Sequence, residues 1–451
     1  MNSENSPPRA PWEKLGFGQT IAYAAGMIPA AYAPALIVGW LMYFYYPGEG
    51  EDVGTIYMGL GAFVLVQFVG RLMDSVADPL VGYFSDKTNT RWGRRIPFII
   101  FGTPPLALTM ALIWYPLTDH PSMANNLWLA GNLLVFWLAY TIVVAPHLSL
   151  LPEIAPEDKE RNKVGGWMGV GEVLGTLIGA AIFGILIGKF KEGVQIGPIV
   201  IEDGFKLCGI IGGIGILVFF YLTWIFIKEK PYNAAKNVTF NFYRAARETL
   251  KNPTYPHFLV MISLLRLMVD IIFVLLPYYV VRHLGFKEDF AGILSAAIIV
   301  GAMLFFPLVI WASNKYGKKR VFSMGLLSFA LFLPLGIVIP FTGLEGSTLQ
   351  IVTGLVFFLL APGAAAFLVL SRVVLTDVMD FDEKLTGFRR EAMYNGIEGL
   401  ITKLAAGIAP MLVALNFVLF NLENGVLTAF AMDAGIALVA FLVFIPYPIR
   451  K

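Results

Sequence analysis

The chain of 451 residues is 57% hydrophobic, only 14% charged, and carries a formal net charge of +2. So much apolar surface cannot stay dry in a soluble fold, and a charge so near zero gives no footing for nucleic acid. The single cysteine, Cys208, rules out an intrachain disulfide, and no zinc-ligand spacing occurs.

Apolar runs of about 20 residues recur along the whole length, each long enough to cross a hydrocarbon core of about 30 Å. Inside lipid the backbone must satisfy its own hydrogen bonds, so these runs predict a helical bundle. A transmembrane barrel would show shorter, alternating segments. The polar, proline-containing residues 1–16 precede an apolar segment too long for a signal-peptide core, which reads as a retained first membrane helix. The expected helices of the first half run near 17–45, 55–84, 97–118, 126–151, 165–188 and 205–227. Those of the second run near 257–281, 289–312, 321–341, 349–375, 392–418 and 426–447. The expectation is an all-α membrane protein of twelve helices, with six-helix halves at 17–227 and 257–451 joined by a linker at 228–256.

Lysine and arginine crowd alternate loops, such as Lys87 to Arg95, Lys228 to Lys251 and Lys315 to Arg320. By the positive-inside rule those loops and both termini are cytoplasmic, which an even helix count also demands. The linker segment "FYRAARETLKN" has helical spacing and a mixed face, as expected of a surface helix. "SDKTNTRWGRR" after the second helix is echoed by "SNKYGKKR" after the eighth. Repeated six-helix units are a common build of secondary transporters.

Charges inside these spans are costly and persist where they pair, line a watery cavity or bind something. Asp74 and Asp78 stand four apart, on one face of the second helix, one turn beyond Arg71. Two carboxylates held close repel unless a cation joins them, so this face suits a hard cation, Na⁺ or H⁺. Arg71 would hold one carboxylate when the cation is away; alternatively Arg71 and Asp74 form a helix-locking pair with Asp78 on a polar lining. Arg266 and Asp270, also four apart, read first as a satisfied internal pair. Lys206 and Arg372 lie near helix ends and are expected to snorkel. Glu172, beside the glycines of "GGWMGVG", is a second proton site or a cavity-lining group. Lys403, mid-span in "GIEGLITKLAAGIAP", needs an acid or a ligand, and Glu398 is a further acid inside these spans.

Three segments carry a family resemblance: "RLMDSVADPLVGYFSDKTNTRWGRRIPF", "YTIVVAPHLSLLPEIAPEDKERNK" and "LTDVMDFDEKLTGFRREAMYNGIEGLITK". They resemble the glycoside–pentoside–hexuronide:cation symporters, the melibiose permease among them, of the major facilitator superfamily. The resemblance implies the major facilitator fold, a cation site at Asp74, Asp78 and Thr141, and Lys403 beside it with Arg71 as a charge partner. It also implies a cytoplasmic gate in which Gly82, Asp86, Lys87, Gly93, Arg94 and Arg95 act with Asp377, Asp380, Arg389 and Arg390 of the second half. A monomer in the inner cell membrane is the superfamily default.

On the sugar side the pattern departs. Val144 stands where sugar-transporting relatives have Asp or Asn, and the helix-five arginine position falls at Gly169. Two substrates follow. The first is a sugar or glycoside gripped by Gln19, Tyr23, His147 and Glu172, with Arg266, Asp270 and Glu398 as further cavity candidates. The alternative is an amphipathic lipid, since distant relatives include a sodium-dependent lysophosphatidylcholine symporter whose cavity is apolar. A third reading is a facilitator-fold receptor or assembly protein that no longer transports, although the complete set of cation-site residues argues against it. No nucleophile-plus-base motif or phosphate loop suggests an enzyme, and no cofactor beyond the coupling ion is implied.

Overall fold

The computed structural model describes residues 15–49, 54–229, 249–387 and 391–447. The first half comprises α1 (Phe17–Tyr45), α2 (Leu60–Lys87), α3 (Ile96–Leu112), α4 (Met123–Ile154), α5 (Lys159–Lys189) and α6 (Gly204–Phe226). The second half begins with α7 (Tyr255–His283), α8 (Glu288–Tyr316), α9 (Lys318–Phe341) and α10 (Gly346–Thr386). A continuous helical run from 391 to 444 is broken at Asn421, where φ is 58° and ψ 174°. The break divides it into α11 (391–420) and α12 (422–444), the last helix among the described residues. A two-stranded hairpin, β1 (Val194–Ile196) and β2 (Ile199–Ile201), joins α5 to α6.

Local chemistry sets the ends. Ser122 and Asp203 cap α4 and α6 by accepting the backbone N–H of Asn125 and Lys206, which would otherwise lack partners. Asn421 does the same for α12, accepting from Asn424 N–H at 3.0 Å. Gly387 ends α10 in the left-handed region, with φ 71°, which costs glycine nothing.

Several helices outrun the apolar segments that announce them. α10 was expected to stop near 375 and continues to Thr386, because Val378, Met379 and Asp382 on its polar extension are buried against neighbours. α5 likewise starts in the charged "KERNK" stretch. Hydropathy marks where a hydrocarbon core would end, which is not where the helix must end. Conversely α3 stops at Leu112 rather than 118. The expected linker helix lies mostly at 230–248, outside the described residues; Tyr255 opens α7 two residues before its expected start.

Each half packs on itself, and close helix approaches rest on small residues. Gly171, Gly175 and Gly179 of α5 form a stripe against the backbone of Ala24, Ile28 and Tyr32 in α1; a methyl at any of them would strike a carbonyl oxygen. The halves meet through α1 with α7, α2 with α11, and α5 with α8. Gly184 and Gly292 let α5 and α8 touch nearly backbone to backbone.

Antiparallel threading puts the basic loops at one end and the remaining loops at the other. At this opposite end polar contacts cross between halves. Tyr278 Oη donates to Tyr46 O at 2.6 Å, and Arg282 Nη2 to Pro47 O at 3.1 Å. Glu288 Oε1, at the start of α8, accepts from Tyr43 Oη at 3.2 Å and from Lys191 Nζ at 2.9 Å. These contacts tie the two halves together at that end.

Candidate cation and substrate site

Halfway between the ends, α2 and α11 bring a charge cluster together across the two halves. Lys403 Nζ donates to Asp74 Oδ1 at 2.9 Å and to Asp78 Oδ2 at 2.8 Å. Thr141 Oγ1, on α4, donates to Asp74 Oδ1 at 3.0 Å. Asp74 is 1% exposed, whereas the Asp78 side chain is 40% exposed, so the pair has a dry end and an open one. One ammonium thus joins two carboxylates that would otherwise repel.

Arg71 forms the buried ion pair with Asp74 that its spacing suggests, but a loose one. Its Nη1 stays 3.8 Å from Asp74 Oδ2, its guanidinium stacks 3.8 Å from the centre of the Trp137 ring, and Nε and Nη2 have no hydrogen-bond partner. Lys403 holds both acids more closely. Arg71 is fixed by its aromatic neighbour, a cation–π contact that needs no carboxylate. Gly407 of α11 makes room for it: a Cβ there would touch Arg71 Cβ at 3.0 Å.

A second group lies around Arg266. Arg266 Nε donates to Asp270 Oδ2 at 2.9 Å, the internal pair expected from the sequence. Glu172 of α5 and Tyr140 of α4 are within electrostatic range of Arg266, and so is Glu398 of α11. Glu398 Oε2 is 3.7 Å from Arg372 Nη1. Groups from both halves therefore share one polar region beside the Lys403 cluster.

Other sugar-site candidates do not reach it. His147 and Tyr23 are fully buried inside the first half, their rings stacked at 4.5 Å, with Tyr23 Oη donating to His147 O at 2.6 Å. They are packing residues because Gly26 lets the imidazole fill the space above α1. Gln19 sits at the basic end, where its amide donates to Phe226 O at 3.3 Å. Val144 is buried as well. Lys206 is paired rather than free at its helix end, bonded to Glu202 and 3.6 Å from Asp203.

At the basic end the expected gate arginines have acidic partners that the motif did not name. Glu153 Oε1 accepts from Arg94 Nη2 and Arg95 Nε, both at 2.7 Å. Glu229 accepts the backbone N–H groups of Arg94 at 2.7 Å, Arg95 at 2.8 Å and Ile96 at 3.3 Å, closing the start of α3. Its carboxylate lies against Gly93, whose φ of 109° allows the approach. In the second half Lys318 Nζ donates to Asp377 Oδ1 at 2.7 Å. These contacts run within each half, not between halves. Gly82 and Lys87 end α2, Lys87 bonding to Tyr83. Asp380 is half-buried on α10. The side chain of Asp86, and Arg389 and Arg390 altogether, lie outside the described residues. Acids such as Glu153 and Glu229 could have been sought as partners for the Arg94–Arg95 doublet, but nothing in their spacing singles them out.

A family model described as MFS/sugar transport protein matches residues 22–446. The chain belongs to that family. It is an integral, multi-pass membrane protein with the major facilitator architecture. The sodium-dependent lysophosphatidylcholine symporter 1 of Gallus gallus is 27% identical over 97% of this chain and 88% of its own length. The sphingosine-1-phosphate transporter of Xenopus tropicalis is 27% identical over 88% of this chain and 78% of its own length. In fold, the chain is similar to a D-xylose–proton symporter, with TM-score 0.67, 16% identity, and 96% and 98% of the two chains covered. Both of these sequence relatives are named for lipids rather than sugars. The resemblance to sugar–cation symporters thus holds at the level of the wider family.

Proposed function

We propose that the protein is a sodium-coupled symporter of a single-chain, phosphate-bearing lipid of the lysophospholipid class, working by alternating access as a monomer in the cell membrane with both termini cytoplasmic. The observation that carries this is the Lys403 ammonium shared by Asp74 and Asp78 across the halves. Two carboxylates and the Thr141 hydroxyl form an all-oxygen donor set suited to a hard cation. Sodium binding there takes over the charge balance and releases Lys403. The freed ammonium then meets the lipid phosphate, a charge-assisted contact that forms only once the ion is bound. Arg266, among Glu172, Asp270 and Glu398, orients a zwitterionic headgroup. The charged loops at the basic end open and close with the cycle.

The lipid is favoured over the sugar because each buried sugar hydroxyl needs a partner. His147 and Tyr23 are packed away, and Val144 offers none. The names of the relatives support the same choice. Transport is favoured over a receptor role because the costly buried charges are all retained.

Thermal midpoints of the purified protein in nanodiscs, with lysophosphatidylcholine or a panel of sugars, with and without Na⁺, test the reading. Ligand at about 100 times its Kd adds roughly 2.7 kcal/mol. The expected result is stabilisation by the lysolipid that grows with Na⁺. Stabilisation by a sugar alone would overturn the substrate assignment.

A further inference from the structure

α2 has a second working face. Turned away from Lys403, it borders an apolar groove of about 270 Å³ lined by Val76, Leu80 and Phe84 of α2, Phe98 of α3, and Leu138 and Ile142 of α4. Val76, Leu80 and Phe84 are each about half exposed, at 51%, 55% and 59%. On a membrane-spanning helix, such a face borders acyl chains.

The groove runs toward a positive rim. Leu80 is four residues after Val76 and Lys87 is seven after Leu80, so the three share one stripe of the helix. Lys87 bonds to the Tyr83 hydroxyl, and Arg91 lies 4.3 Å over the Trp92 ring. Trp92 in turn meets Phe101 at 6.1 Å, one turn beyond the groove residue Phe98. Tyr and Trp in this position mark a membrane–water interface. Among the described residues neither Lys87 nor Arg91 has a carboxylate partner, whereas Arg94 and Arg95 are bound to Glu153. The rim therefore carries two positive charges at headgroup level, above a slot of acyl-chain character.

We propose that this groove and rim hold one anionic phospholipid of the surrounding bilayer, with an acyl chain along α2 and its phosphate at Lys87 and Arg91. The site lies on the face of α2 turned away from the Lys403 cluster and needs no sodium. Its position on α2 gives the bilayer a hold on the helix that carries Asp74 and Asp78.

The test uses the full-length protein, delipidated in detergent, with phosphatidylglycerol or phosphatidylcholine of identical chains. Native mass spectrometry counts retained lipid, and thermal midpoints report affinity. The expected result is one retained phosphatidylglycerol per chain and a larger midpoint rise than with phosphatidylcholine, with or without Na⁺. The double substitution Lys87→Gln, Arg91→Gln changes only exposed side chains, so the lipid-free midpoint stays put while phosphatidylglycerol affinity falls roughly thirtyfold. Val76→Trp fills the groove and weakens both lipids. Equal affinity of the parent for the two lipids, or a phosphatidylglycerol preference that survives the double substitution, overturns the proposal. Unchanged binding in Val76→Trp overturns the placement of the acyl chain.

Discussion

At mid-height the two halves meet through one ammonium shared by two carboxylates. At the opposite end they meet through tyrosine hydroxyls, backbone carbonyls and Glu288. The first junction is made of whole charges and has an open side at Asp78, so a small cation can replace its lysine. The second combines bonds to the backbone carbonyls of Tyr46 and Pro47 with a tyrosine bond and a half-exposed lysine pair, both to the one carboxylate of Glu288. Ion binding should therefore act at the first, while the second sets how readily that end of the molecule opens.

The largest effect is expected where the charges are most buried. Lys403→Ala strands Asp74 in a nearly dry site, and breaking such a pair typically costs about 3–5 kcal/mol. Sodium should restore part of that loss by taking the place of the ammonium, so the variant's thermal midpoint becomes steeply Na⁺-dependent. A variant as stable as the parent in Na⁺-free buffer would mean that the lysine is not balancing the acids.

A smaller effect belongs to the opposite end. Glu288→Gln removes a charged acceptor from Tyr43 and Lys191, worth about 1.5 kcal/mol. Spin labels at Glu49→Cys and Glu423→Cys should then report roughly a tenfold gain in the population open at that end. At the basic end Glu229→Ala leaves the first N–H groups of α3 without their acceptor and should cost about 1 kcal/mol, read as a lower midpoint. Smallest is Lys191→Gln, since that side chain is 51% exposed and exposed pairs are worth at most about 1 kcal/mol. Equal effects of Lys191→Gln and Glu288→Gln would shift the weight of this junction from Tyr43 to the ion pair.

The bundle was legible because hydrocarbon thickness imposes a length that apolar runs display. Asp74 and Asp78 were legible because charges are rare inside such runs and a spacing of four puts them on one face. Their bond to Lys403 was not in the spacing; it came from the family resemblance, and α11 realises it. The fate of Arg71 could not be read, since Trp137 comes from another helix and aromatic residues are common throughout. His147 and Tyr23 misled for a related reason: a polar side chain on an apolar helix looks alike whether it lines a cavity or packs against a glycine such as Gly26. The polar continuation of α10 escaped because apolar periodicity ends where lipid ends.

Uptake into proteoliposomes tests the central claim most directly. The parent and the Asp78→Asn variant are given labelled lysophosphatidylcholine with an inward Na⁺ gradient or with none. The account predicts accumulation by the parent only under the gradient, and none by Asp78→Asn although it remains folded in the membrane. Gradient-independent uptake by the parent, or parent-like accumulation by the variant, would contradict it.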